Sequence, residues 1–147
     1  MNRSFMLEGS RKQLINQLVY FDEEKIAFLN TYFPAQDLKR SIVEGMITTY
    51  ITAVEAILEN FNYDILHSRA LIGSKLSVRY MEDQSTETFT IVFPHLADPD
   101  QNKISFISPM GYQLLLSQAN EICKLEYPSS VERVEVLKIQ FINCGEY

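Results

Sequence analysis

Tryptophan is absent from this 147-residue chain, cysteine occurs twice, and glycine and proline contribute only five residues each. With 46% hydrophobic and 22% charged residues, that scarcity excludes fibrous and disordered classes and leaves a folded chain with a real core. Cys123 and Cys144 belong to no CxxC and have no His pair nearby, which excludes a zinc site and a disulfide framework. A reducing cytoplasm is the simplest setting. A basic excess is also missing: 13 Lys and Arg face 19 Asp and Glu, a net charge of −6. Divided after Asp64, each part carries −3, so no basic half or tail predicts autonomous nucleic-acid binding, and protein partners are expected instead. No run approaches the ~18 consecutive apolar residues of a membrane span, and the first thirteen residues lack a signal-peptide core. The expectation is a soluble cytoplasmic protein. GxGxxG, Walker, GxSxG and HExxH patterns are absent, which removes support for the familiar nucleotide, hydrolase and zinc-protease chemistries.

What is present begins with helical spacing. Leu14, Leu18, Phe21, Phe28 and Tyr32 recur at three, four or seven, as do Val43, Met46, Tyr50, Val54, Ile57 and Phe61. Two helical arms are predicted, with a break or kink near Phe21 where Asp22-Glu23-Glu24 suits a restarted helix. Pro34 disfavours helix at Phe33, and Asp37 is a natural cap for the second arm, so the arms fold back as an antiparallel hairpin. The second arm, residues 37–61, would span roughly 37 Å at about 1.5 Å per residue.

Beyond Leu71 the period becomes two. Residues 76–80, 88–93, 104–107, 122–127 and 131–141 read as strands separated by turn-rich segments. Ser108-Pro109 opens a helix over MGYQLLLSQA, with Ser108 as cap and Pro109 at its first position. The fold class is therefore α+β: a helical hairpin over residues 1–66, then a mostly antiparallel sheet with one helix over residues 67–147. The short junction at residues 67–70 leaves the two parts little freedom.

Few residues carry chemistry on their own. His67 and His95 have no nucleophile or carboxylate partner in sequence and are assigned no function. Cys123 reads as a small buried strand residue; Cys144 in the tail has no flanking cation to activate it. Asp37 reads first as a helix cap, although a carboxylate at the end of a projecting hairpin could also enter another protein's cavity.

Ile91-Val92, Ala97-Asp98 and Ile104-Ser105-Phe106-Ile107-Ser108-Pro109-Met110-Gly111 with Leu114-Leu115 resemble the IV…EAD…IS..SP.G..LL signature of the Gre family of bacterial transcript cleavage factors. The segment 134–139, VEVLKI, is similar to the family's closing strand, residues 7–18 to its opening, and Asp37-Leu38-Lys39 to its hairpin tip. The resemblance implies a coiled-coil hairpin joined to an FKBP-like domain that docks on the rim of the secondary channel of RNA polymerase. It implies Asp98, Ser108, Pro109 and Met110 as docking residues. In the family an Asp at the tip and a Glu three residues later help polymerase hold a second magnesium ion for RNA cleavage.

This chain departs from that pattern. Asp37 is present, but three residues on stands Arg40, which would pair with Asp37 rather than share a metal. Glu44 lies about 10 Å further down the helix. The family's Gly-rich turn reads Ser117-Gln118-Ala119-Asn120-Glu121, with Asn120 able to supply a left-handed residue, and Ile107 replaces a polar residue before Ser-Pro. Val92-Phe93-Pro94 is similar to the strand ending of shorter relatives that keep the globular domain and lose cleavage. The leading expectation is a monomeric, non-enzymatic regulator of RNA polymerase with no cofactor and no metal of its own, magnesium entering only through polymerase. A true cleavage factor using Asp37 with Glu44 is the alternative, and an FKBP-type isomerase rests on fold analogy alone.

Overall fold

A buried face that runs on past the acidic segment carries the first helix further than its charges suggested. The computed structural model describes residues 3–142, and within them α1 runs unbroken from Arg3 to Tyr32. The expected break at Phe21 does not occur. Asp22, Glu23 and Glu24 all face solvent, while Phe21, Phe28 and Leu29 keep one buried stripe in register through the acidic segment. The chain reverses at Pro34, and α2 (Leu38–Glu59) returns with Val43, Ile47, Tyr50, Val54 and Ile57 buried. By length and a mean hydropathy of 1.3, α2 is apolar enough to cross a membrane, a property that counting consecutive apolar residues does not register. A one-turn helix, α3 (Tyr63–Leu66), capped by Asn62, then leads into the sheet.

Five strands follow: β1 (Ser74–Tyr80), β2 (Thr86–Val92), β3 (Lys103–Ser105), β4 (Ile122–Tyr127) and β5 (Ser130–Phe141). Their order is β3-β2-β1-β5-β4. All pairings are antiparallel except β2 with β3, which is parallel, so the sheet is mixed. The connection responsible contains two 3-10 turns, Pro94–Leu96 and Pro99–Gln101, and brings β3 back in the direction of β2. Helix α4 (Pro109–Leu114) is shorter than MGYQLLLSQA allows, because Leu115 is already non-helical and Leu116 takes a left-handed φ of 69°. Asn120 is left-handed as expected, with φ 70°.

The hairpin does not project. It lies across one face of the sheet, and both parts share one core. Phe21 and Phe28 of α1 meet Phe106, stacked at 5.6 Å for Phe28, and Phe21 lies 5.7 Å from Phe93. A buried polar knot fixes the arrangement. The Tyr50 hydroxyl donates to Gln17 Oε1 (2.6 Å) and accepts from the Ile72 N–H (2.9 Å), while Gln17 Nε2 donates to the Ile72 carbonyl (2.8 Å). Every polar atom of this triangle has a partner, which is what permits its burial.

Candidate functional site

The Ser108-Pro109 corner is built by short-range hydrogen bonds. The Ser108 hydroxyl donates to the Ser105 carbonyl (2.7 Å) and accepts from the Gly111 N–H (3.1 Å), capping α4, while Pro109 needs no N–H at the first helical position. Gly111 packs its Cα against the Ser105 carbonyl so closely that a Cβ would collide with it. Gln113 then ties α4 to β4, its Oε1 accepting from the Glu126 N–H (2.7 Å) and its Nε2 donating to the Glu126 carbonyl (3.0 Å). Pro109 is thereby held exposed on a rigid corner, with Ile107 and Met110 half-buried beside it.

The hairpin turn lies against the same corner. Lys39 and Ile42 of α2 line a groove of about 360 Å³ whose other wall is Ile107, Pro109, Tyr112 and Gln113. Of the residues singled out in the sequence, the fold thus brings the Ser108-Pro109-Met110 corner next to the hairpin turn carrying Asp37 and Arg40. Asp98 is not part of this surface. It sits beyond the opposite end of β3, paired through its backbone with Lys103, its carboxylate accepting from the Asp100 N–H (3.0 Å) to cap a 3-10 turn. Ile42 and Tyr112 carry the groove and were not singled out from sequence. Their signal was an apolar residue off the buried stripe of its helix.

At the turn, Asp37 is the N-cap of α2 and accepts from the Arg40 backbone N–H (3.1 Å). The Arg40 guanidinium does not pair with the Asp37 carboxylate as the spacing suggested. It reaches across to the end of α1, donating to Asn30 Oδ1 (3.0 Å) and the Phe33 carbonyl (2.9 Å), because the orphan carbonyl there is a better-placed acceptor. Lys39 lies 5.8 Å from the centroid of the Phe33 ring. Glu44 pairs with Lys25 at 3.5 Å. These donors do not fit a metal: one carboxylate caps a helix, the other is held by an ammonium a full two turns away, and the residue three positions after Asp37 is an arginine whose guanidinium is engaged at the end of α1. Among the described residues no group of three or more His, Cys, Asp or Glu gathers to hold one.

The remaining candidates are structural. His67 Nδ1 accepts from the Phe141 N–H (2.8 Å), joining the junction to the end of β5, and its ring packs 4.4 Å from Tyr63. His95 is exposed near Phe93. Cys123 is buried, and burial, with the Glu121 carboxylate adding to it, pushes its thiol up to about 11, so it stays protonated at neutral pH. Cys144 lies outside the described residues.

A helical hairpin laid over a curled five-stranded mixed sheet, with a serine-proline corner opening its short helix, defines an α+β class. Residues 66–141 match the C-terminal domain of the transcription elongation factors GreA and GreB, and the chain belongs to that family. It is 25% identical over 136 residues to the transcription elongation factor GreA of Desulfovibrio desulfuricans, covering 92% of this chain and 83% of that one. With GreA of Chloroflexus aurantiacus it shares 38% over 69 residues, 47% of this chain and 44% of the relative. The solved GreA/GreB factor from Nitrosomonas europaea has a similar fold, with a TM-score of 0.54 at 20% identity over 81% of this chain and 93% of that one.

Proposed function

We propose that this protein binds bacterial RNA polymerase at its secondary channel through the Ser108-Pro109 corner and modulates elongation without supporting efficient transcript cleavage. The observation that carries the reading is the shared groove: the corner and the hairpin turn form one surface, so a partner gripping Pro109 also meets Lys39 and Ile42. The lack of cleavage follows from the turn itself, where Asp37 is used as a cap, Arg40 stands three residues on, and Glu44 is engaged by Lys25. Polymerase supplies whatever magnesium the reaction needs. The protein acts as a cytoplasmic monomer in this reading, with Met110 supporting the corner from beneath; Asp98, at the far end of β3, would touch the partner only if the footprint extended along that strand.

The test is capture of purified RNA polymerase by the full-length protein, followed on the same complexes by an RNA cleavage assay on backtracked transcripts with magnesium. Binding without cleavage is expected, with Pro109→Glu reducing capture at least tenfold while leaving the thermal unfolding temperature unchanged. Cleavage that disappears in Asp37→Ala would overturn the non-cleaving reading, and undiminished capture of Pro109→Glu would overturn the docking corner.

A further inference from the structure

The even charge split along the chain conceals an uneven split in space. Strand alternation sends one set of side chains away from the hairpin, onto the outer face of the sheet. That face carries Lys75, Arg79, Lys103, Lys124, Arg133 and Lys138, six of the chain's 13 basic residues. Among the described residues, Glu126 and Glu135 are the only acids at its outward strand positions, and both are held there by cations, Lys124 at 3.6 Å and Arg79 at 3.5 Å. Lys75, Lys103, Arg133 and Lys138 have no carboxylate within ion-pair distance among the described residues. A chain of net charge −6 therefore presents one positive face.

We infer that this outer sheet face binds the phosphate backbone of a nucleic acid without reading its sequence. Three features select that partner. The cations lie on four of the five strands, β2 carrying none, and reach from one edge of the sheet to the other, roughly 19 Å at about 4.8 Å per strand spacing, which suits an extended polyanion and not a small one. Ser77, Thr86, Thr88 and Gln140 stand between them as neutral donors, the kind of side chain that joins Lys and Arg on phosphate oxygens. None of the chain's 8 Tyr and 9 Phe lies at an outward position of these strands, so the face offers neither stacking platforms for bases nor the aromatic core of a protein interface. This inference stands apart from the docking corner, which lies on the hairpin side of the sheet.

Fluorescence anisotropy with the full-length protein and two labelled probes, a 20-base-pair DNA duplex and a 20-nucleotide RNA strand of mixed sequence, tests it. Binding is expected at 50 mM KCl, with an affinity that falls about 100-fold by 200 mM for the duplex, the loss set by release of about four counterions. The two probes decide whether duplex or single strand is preferred; binding of either supports the inference. Lys75→Glu with Lys138→Glu should weaken binding at least tenfold, while Lys12→Glu, an exposed charge on α1, should leave it unchanged. The inference is overturned by an absence of binding to both probes at 50 mM KCl. Equal losses from the α1 and sheet variants, or equal binding of polyglutamate, which would mark the face as one for acidic protein, overturn it as well.

Discussion

The phenolic oxygen of Tyr50 joins three stretches of chain that are far apart in sequence, one in each helix and one at the entry to the sheet. Phenylalanine at this position keeps the ring and removes the oxygen, leaving the Ile72 N–H and Gln17 Oε1 buried without it. Tyr50→Phe is expected to cost about 1–3 kcal/mol, measured by urea unfolding, the penalty of stranding buried polar groups. A cost below a few tenths would show that water replaces the hydroxyl. At this scale, legibility depended on distance in sequence. Asp37 and Ser108 could be named as caps because each partner lies three residues away, whereas nothing local marks Gln17 as buried, its partners being 33 and 55 positions distant.

For elements, the decisive question is what an end or an interruption is attached to. Asp37 begins α2 by accepting one orphan N–H, and Arg40 closes the end of α1 by donating to the Phe33 carbonyl. Asp37→Ala is expected to destabilise by about 1 kcal/mol, typical of a lost cap, seen as a lower urea midpoint with an unchanged slope. Periodicity located the hairpin and all five strands, but it could not say that acids at residues 22–24 decorate a continuous helix, because that depended on Phe28 and Leu29 finding the sheet. Nor could it show that β3 returns parallel to β2, since the direction is set by the two 3-10 turns between them. The groove at the Ser108-Pro109 corner was half legible: Ser108 and Pro109 stand out as a motif, but Ile42 and Tyr112 become its walls only once the hairpin folds over.

For the whole molecule, hairpin and sheet have one core, with Phe21, Phe28, Tyr50, Phe93 and Phe106 all buried within it. Such a core cannot come apart in halves. Unfolding is expected in one transition, with circular dichroism of the helices and tyrosine fluorescence giving coincident urea curves. Phe28→Ala should lower stability by about 3–4 kcal/mol by both probes equally; two separated transitions would show that the hairpin detaches first. The shared core also sets a timetable during synthesis. The ribosome releases Phe28 well before Phe106, with a delay of roughly 4–16 s at about 5–20 residues per second. Throughout that interval Phe28 lacks Phe106, the ring it stacks on in the finished fold, and the part of the hairpin that α2 does not cover stays exposed, which makes the nascent protein a client for whatever shields aromatic surface at the tunnel exit.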